Sequence, residues 1–177
     1  MKLVFKSSQP VRVKTGSIAS IDPGLGGTGY AIWSASDWNR LVPPKHSGVV
    51  NCRIDLDWPD AVAEIGYQMG NILKLHAVHD VFVELPQVMH SQAGLAASAS
   101  GDLVKLCMVA GCVIGSLNPS WSRVFMVSIP KWKGQLSKTE VANRIKQRLP
   151  TYRWSVPNPT SHEVDAVGIG LYAKGHL

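Results

Sequence analysis

Short apolar runs that end at chain breakers alternate along this chain with longer stretches of helical spacing. The short runs predict five strands, at Ser17–Asp22, Tyr30–Trp33, about Gly48–Val50, Val81–Glu84 and Val124–Val127. The longer stretches predict helices at Trp58–Leu75, Asp102–Leu117, Ser137–Leu149 and from about Ser161 onward. The order βββαβαβαα predicts an α/β fold in which an antiparallel meander precedes parallel crossover units.

One predicted helix differs from the others in its pattern. The stretch Asp102–Leu117 is apolar on nearly all sides, which is typical of a helix that is central or shared with another subunit. Two of the three cysteines, Cys107 and Cys112, lie in it and are expected to be buried, reduced thiols.

The first sixteen residues form a separate region in this interpretation. They contain four basic residues and no acid, which predicts a basic N-terminal arm (residues 1–16) or an added edge strand around Val11 and Val13. Residues 17–177 then form one compact domain, because 177 residues with 45% hydrophobic content suit a single core. The cysteines show neither a paired framework nor zinc spacing, and no run is long enough for a signal peptide or a membrane span. We therefore expect a soluble, cytoplasmic protein.

Positive charge is concentrated in one part of the chain. The formal net charge is +6, and the segment from Arg123 to Arg153 holds eight basic residues and one acid. A basic block of this kind favours a polyanionic partner such as nucleic acid, although a solvated helix face would look similar. Lys131, Lys133, Lys138 and Arg144 are the candidate DNA-binding residues, with Lys131–Gly134 predicted to lie between a strand and a helix. The interleaved Trp132, Tyr152 and Trp154 suit stacking on unpaired bases, but core packing is the simpler explanation for each aromatic taken alone.

Two predicted strands end in carboxylates. Asp22 and Glu84 are each followed at once or after one residue by a proline, so the sheet is expected to end there and the acids to face a cleft. A carboxylate at a strand end is costly to bury alone, so its expected companions are a hard cation and a second acid. Asp22 alone would also fit a turn-capping role.

The glycines after Asp22 formally match a dinucleotide-binding fingerprint at Gly24, Gly26 and Gly29. The next residues, Tyr30–Trp33, form a strand, so no helix N-terminus is available for a pyrophosphate. A tight turn beside a reactive strand end is the preferred interpretation.

A histidine and an acid stand three residues apart at the start of the last predicted helix. His162 and Asp165 would share one helix face, while Glu163 points elsewhere and is explained as a first-turn acid. His162 alone would also fit a capping or core role. Together with Asp22 and Glu84, the pair could hold one or two divalent ions, which would activate a water for phosphodiester hydrolysis. Mg²⁺ prefers oxygen ligands such as these carboxylates. A histidine among the ligands would allow Mn²⁺ to support the reaction as well or better.

These residues resemble the RuvC-type Holliday junction resolvases of the RNase H-like superfamily. The matching segments run in order from about residue 17 to 177: Ile21-Asp-Pro-Gly24 with Gly29-Tyr30, Val83-Glu84 with Gln87, Ile129-Pro-Lys-Trp-Lys-Gly134 with Lys138, and His162-x-x-Asp165-Ala166. The first segment is fairly specific, and the others are weak singly but strong as an ordered set.

The resemblance implies an RNase H-like fold with a five-stranded mixed sheet flanked by helices. It also implies a crossover junction endodeoxyribonuclease that acts as a homodimer, through the helix at about 102–117, and nicks two symmetric strands of a four-way DNA junction. Asp22, Glu84 and Asp165 would be catalytic and metal-binding carboxylates, with two Mg²⁺ ions per site, and His162 would stand in the fourth ligand position. Lys131 or Lys133, with Lys138, would contact the junction.

Two features depart from the family pattern. The basic N-terminal arm is extra, and Pro86, Gln87, Val88 and Met89 stand where some relatives carry an aromatic after the catalytic Glu. A phage-borne member would fit this divergence.

Other functions fit parts of the sequence. A less selective RNase H-like nuclease would act on flaps, RNA–DNA hybrids or other branched DNA, and a non-catalytic junction-binding module would need only the basic block. A phosphotransferase of the sugar-kinase or actin type shares the Asp-x-Gly turn but needs two lobes, and the chain has length for one.

Overall fold

Six strands form one mixed sheet with helices against both faces. The computed structural model describes residues 2–5, 16–52, 56–87, 96, 99–117, 122–155 and 161–177. The strands are β1 (Lys2–Phe5), β2 (Ser17–Asp22), β3 (Thr28–Ser34), β4 (His46–Val50), β5 (Val78–Leu85) and β6 (Arg123–Ser128). The helices are α1 (Trp58–Leu75), α2 (Asp102–Gly115), the short α3 (Ile129–Trp132), α4 (Lys138–Arg148) and α5 (Ser161–Lys174), and a 3₁₀ turn covers Ala35–Asp37.

The strand order across the sheet is β1-β6-β5-β2-β3-β4. Strands β2, β3 and β4 pair antiparallel, whereas β2 with β5, β5 with β6 and β6 with β1 pair parallel. The predicted meander followed by crossovers is therefore confirmed. Because β2 and β5 are neighbouring parallel strands, their carboxyl ends meet at the same edge of the sheet.

The sixth strand comes from the predicted N-terminal arm. Lys2–Phe5 pairs with β6 from Lys2 opposite Arg123 to Phe5 opposite Met126, so this part of the region is a parallel edge strand. The alternative edge strand around Val11 and Val13 falls outside the described residues. The sheet thus holds the five predicted strands and one more.

Each face of the sheet has its own apolar core. Alternate residues of a strand point to opposite faces. The face covered by α1 and α2 buries Ala19, Ile21, Val81 and Val83 of β2 and β5, with Ile65, Met69, Val109 and Val113 of the helices. The face covered by α4 and α5 buries Ile18, Trp33, Phe82 and Phe125 with Val141, Ile145, Ile169 and Leu171. Asp22 and Glu84 follow Ile21 and Val83, so their side chains belong to the α5 face.

The apolar helix α2 lies at the surface of the chain. Of its residues, Val109, Ala110 and Val113 are buried, on the side that packs against α1. The expectation of buried thiols was wrong for the single chain: Cys107 and Cys112 are both exposed, because α1 covers one side of α2 only. Val104 and Met108 are also exposed, at 61% and 41%. Among the described residues, no helix combines the length and apolar character that crossing a bilayer requires.

Candidate active site

The two strand-end acids lie beside each other at one edge of the sheet. Asp22 is the last residue of β2, and Glu84 precedes the last residue of β5. The register pairs Ile21 with Val83, which brings the two acids next in line to neighbouring positions on the α5 face. Asp22 is 5% exposed, and Glu84 is partly buried.

Helix α5 brings the histidine to Asp22. The Nδ1 atom of His162 lies 2.7 Å from Oδ2 of Asp22. This contact depends on the glycine turn, because a Cβ at Gly29 would collide with the backbone carbonyl of His162, and one at Gly24 would collide with its ring. The glycines therefore allow the start of α5 to sit directly on the strand end, as the interpretation of a tight turn beside a reactive acid predicted.

The short helix α3 and the residue that follows it supply a partner to each of the other two acids. Nζ of Lys133 lies 2.9 Å from both carboxylate oxygens of Asp165. The indole Nε1–H of Trp132 donates to Oε2 of Glu84 at 2.8 Å. Of the predicted DNA-binding residues, Lys133 is therefore inside the site, where it pairs with an acid.

The acids strongly influence one another's protonation. Burial raises the pKa of Asp22 against the opposing effect of His162, and the charge of Asp165 raises it further. Burial, followed by the charge of Asp22, raises the pKa of Glu84 to about 8. The hydrogen bond to Asp22 raises the pKa of His162, although burial acts in the opposite direction. All four predicted catalytic residues thus occupy one electrostatically coupled pocket.

The chemistry of this donor set fits a hard divalent cation. Three carboxylates share a largely buried space, and burial, followed by the charge of Asp22, raises the pKa of Glu84, so an added cation would favour its ionised form. Each acid is held by its own partner, and within the described ranges no three His, Cys, Asp or Glu side chains are grouped as one ion would need them. The four-residue metal site stays a prediction.

The other predicted DNA-binding residues lie on the surface of the chain. Lys131 on α3 and Lys138 and Arg144 on α4 are exposed. The charge of Lys138 lowers the pKa of His162, which places this ammonium within electrostatic range of the site. Arg144 lies further along α4 on its exposed side.

The aromatic residues of the basic block pack in the protein. Trp132 is 4% exposed, and Tyr152 and Trp154 are partly buried against the same core, with ring centroids 4.7 Å apart. Core packing, the simpler of the two sequence interpretations, is therefore what the structure shows. Pro86 and Gln87 follow Glu84 as the sequence indicated, while Val88 and Met89 lie outside the described residues.

Sequence reasoning missed two residues that support the site. It gave Trp132 no role toward Glu84. The available signal was general: a buried indole N–H needs an acceptor. The acceptor itself, Glu84, lies 48 positions away in the sequence. It set Glu163 aside as a first-turn acid, yet this side chain is 0% exposed and accepts hydrogen bonds from Ser47 and Ser155. No local pattern connects Ser47 with Glu163, which are 116 positions apart.

Comparison with known proteins agrees with the geometry. No protein-family model matches the chain. A curated relative, the crossover junction endodeoxyribonuclease RuvC of Rhodopirellula baltica, is 26% identical over 170 residues, which cover 93% of this chain and 90% of that protein.

Two solved structures share the architecture. T. thermophilus RuvC in complex with a Holliday junction substrate aligns with a TM-score of 0.64 and 20% identity over 88% of this chain and 90% of that one. The yeast mitochondrial Holliday junction resolvase aligns with a TM-score of 0.61 and 15% identity over 94% and 81%. The RNase H-like fold and the resemblance to RuvC-type resolvases are both confirmed.

Proposed function

We propose that this chain, which is similar to RuvC-type Holliday junction resolvases in sequence and in fold, is a metal-dependent DNA endonuclease that resolves four-way junctions by paired phosphodiester hydrolysis. The observation that carries the proposal is the convergence of Asp22, Glu84, His162 and Asp165 from three separate elements at one edge of the sheet. Acids spread over 143 positions of sequence have no need to share a pocket for stability alone, since their mutual repulsion is unfavourable.

The carboxylates of Asp22, Glu84 and Asp165, with the imidazole of His162, would hold Mg²⁺, or Mn²⁺, with two ions per site as the fullest occupancy. Bound there, the ions would supply an activated water and charge stabilisation at the leaving oxygen. The protein's own residues prepare the pocket for that binding. The ammonium of Lys133 neutralises Asp165, and the Asp22–His162 contact orients the imidazole.

In the absence of a bound ion, the imidazole of His162 can instead carry a proton at the edge of the pocket. With Asp22 ionised, Nδ1 carries the proton that Asp22 accepts, and Nε2 is the remaining titrating position. The side chain of His162 is 34% exposed, whereas that of Asp22 is 7% exposed, so the imidazole is the member of this pair that substrate can reach.

The exposed basic residues would position the DNA. Lys131, Lys138 and Arg144 lie on α3 and α4, in the segment that carries eight basic residues and one acid. Contacts from these side chains to backbone phosphates would bring a strand to the acids without reading its sequence.

Paired cuts need two active sites, which a homodimer would supply. The exposed apolar side of α2, with Val104 and Met108, offers a surface that a second copy would cover. The proposed interface is the helix first predicted at about 102–117. Packing against α1 buries only part of the apolar surface of this helix.

One gel experiment tests the proposal. Purified protein is incubated with a synthetic immobile four-way junction and with linear duplex of the same sequence, with Mg²⁺, with Mn²⁺ or with EDTA. We expect symmetric cuts in the junction only, and only with a divalent ion. Asp22→Asn should lower the cleavage rate by more than about 100-fold while junction binding persists, because binding depends on the basic surface. Asp60→Asn, an exposed acid on α1, should cut like the parent.

The other outcomes separate the alternatives. Equal cleavage of linear and branched duplex would support a less selective RNase H-like nuclease. Junction binding without cleavage by the parent at any divalent-ion concentration would support a non-catalytic binding module. Full activity of Asp22→Asn would show that the site assignment is wrong.

A further inference from the structure

Trp132 connects the two elements that carry acids of the site. Its indole Nε1–H donates to Oε2 of Glu84 on β5 at 2.8 Å. The far edge of the same ring rests on Gly168 of α5, where an added Cβ would lie only 2.7 Å from Cζ3 of Trp132. The ring is 4% exposed, so it is fixed between the strand that bears Glu84 and the helix that bears Asp165.

The next residue reinforces this arrangement. Lys133 pairs with both oxygens of Asp165, and its Nζ lies 5.2 Å from the centroid of the Trp132 ring. Two consecutive residues of one short segment therefore contact two different acids. The placement of Ile129–Trp132 at the end of β6, next to β5, makes this reach possible.

We propose that Trp132 is a positioning residue for the nuclease reaction: its indole N–H fixes the orientation of the Glu84 carboxylate so that the other carboxylate oxygen is presented to a divalent cation. The inference rests on the proposed function of the same site. Trp132 itself is buried and would touch neither DNA nor the reacting atoms.

The physical reason is the loss of rotational freedom at Glu84. A glutamate side chain has several rotatable bonds, and one hydrogen bond to a rigid, packed donor selects among its rotamers. Groups that orient a cation ligand in this way usually change metal affinity or activity by about 10-fold to 100-fold when they are removed.

The chain contains a matched control for this side chain. Trp33 is also buried, also rests on a glycine of α5 (Gly170), and also has a lysine ammonium over its ring, that of Lys174 at 5.3 Å. Its indole N–H donates at 3.2 Å to the backbone carbonyl of Val42, which belongs to a loop away from the acids. The two tryptophans thus share packing and differ in the acceptor of the indole proton.

The first test compares Trp132→Phe with Trp33→Phe. Both substitutions keep an aromatic ring and remove one buried N–H, so we expect similar falls in thermal stability. Trp132→Phe should lower the single-turnover rate of junction cleavage by about 10-fold and raise the Mg²⁺ concentration needed for half-maximal rate, with junction affinity within about 2-fold of the parent. Trp33→Phe should leave the cleavage rate and the Mg²⁺ requirement within about 2-fold. Equal losses in both variants, or a parental rate for Trp132→Phe, would overturn the inference.

A second test detects metal binding directly in the parent protein and needs no variant that must fold. In the parent, the indole N–H resonances of Trp132 and Trp33 are assigned in ¹H–¹⁵N spectra and followed during titration with Mg²⁺ alone. The Trp132 resonance should shift, because its acceptor would become a cation ligand, while the Trp33 resonance should stay in place. A Trp132 resonance that does not respond while cleavage is Mg²⁺-dependent would overturn the inference alone. A parent that cuts no branched DNA would instead overturn the proposed function.

Discussion

Helix α5 carries buried acids of two opposite kinds within one turn of each other. Asp165 belongs to the pocket with Asp22 and Glu84, in which burial and mutual repulsion raise pKa values. Glu163, two residues earlier, is fully buried outside that pocket. The two regions use the same functional group in the same helix, so their difference isolates what the surroundings do to a carboxylate.

Neutral donors surround Glu163. Ser47 Oγ donates to it at 2.7 Å, the backbone N–H of Ser155 at 3.1 Å and Ser155 Oγ at 2.8 Å. The hydroxyl of Tyr152 lies 2.6 Å from Ser47 Oγ and extends the network. This carboxylate ties β4 and the chain after α4 to the start of α5, and its hydrogen bonds are made within the protein.

The acids of the candidate site are, by contrast, held by fewer partners within the protein. Lys133 and His162 are the internal cationic partners, and Glu84 receives a single indole N–H from Trp132. Buried acids with this deficit weaken the fold and favour binding of a cation that supplies the missing charge. The comparison teaches that the hydrogen bonds of Glu163 join three elements of the fold, whereas the acids of the candidate site have few internal partners.

The largest loss of stability is expected from substitution of Glu163, the acid whose hydrogen bonds are made within the protein. Glu163→Ala deletes a fully buried side chain and removes the acceptor of the Ser47 and Ser155 donors, so the free energy of unfolding should fall by about 3 kcal/mol. Urea denaturation measures this loss. Glu163→Gln keeps one acceptor oxygen and should lose less than Glu163→Ala. An unchanged urea midpoint for Glu163→Ala would show that the network contributes nothing to stability.

An intermediate loss of stability is expected when the site loses the ammonium group of Lys133. The side chains of Lys133 and Asp165 are 14% and 11% exposed, so Lys133→Met leaves an acid buried without its partner. The free energy of unfolding in EDTA should fall by about 2 kcal/mol, and saturating Mg²⁺ should restore part of it. Lys131→Met, an exposed neighbour on α3, is the control and should change little. Identical losses in the two variants would contradict a special role for Lys133.

The smallest stability effect, and the one with opposite sign, is expected at Glu84. Its pKa is raised from 4.5 to about 8 by burial and then by Asp22. Between those pH values the folded chain keeps a proton that the unfolded chain has lost. The group's contribution to stability is therefore complete below pH 4.5 and is lost as the pH rises to about 8.

Glu84→Gln removes this titration. In EDTA, at the upper end of that window, the variant should be more stable than the parent by on the order of 1 kcal/mol, since Glu84 is only partly buried and solvent recovers part of the cost. Urea denaturation across the window measures the difference. Glu140→Gln is the control of opposite sign, because the backbone and side chain of Ser137 lower the pKa of Glu140. Parallel stability curves for the parent and Glu84→Gln would contradict the raised pKa.

Local patterns predicted most of the fold because strands and helices each carry their own periodicity. β2 matches its predicted range, as does α1 from Trp58 to Leu75. β5 begins at Val78, earlier than predicted, because Asp80 interrupts the apolar pattern yet is buried by a pair with Arg123 at 2.6 Å. That partner lies on a strand 43 positions away, so local periodicity cannot reveal it.

The acids of the site were predictable for a similar reason. A charged carboxylate at the end of an apolar strand is unfavourable to bury, and this combination of residues can be recognised in the sequence. Trp132 and Glu163 showed no such combination, because an aromatic in a motif and an acid in a first turn both have ordinary explanations. Their roles depend on acceptors and donors that only the folded topology brings within reach.

The contact between Gly29 and the carbonyl of His162 has a consequence for how such a protein can change. Here the separation between strand and helix is set by main chain meeting main chain, with no side chain interposed. Any side chain at position 29 would therefore push the start of α5 away from β2 and widen the gap between Asp22 and His162. A single methyl group at that point would be enough to change the dimensions of the pocket.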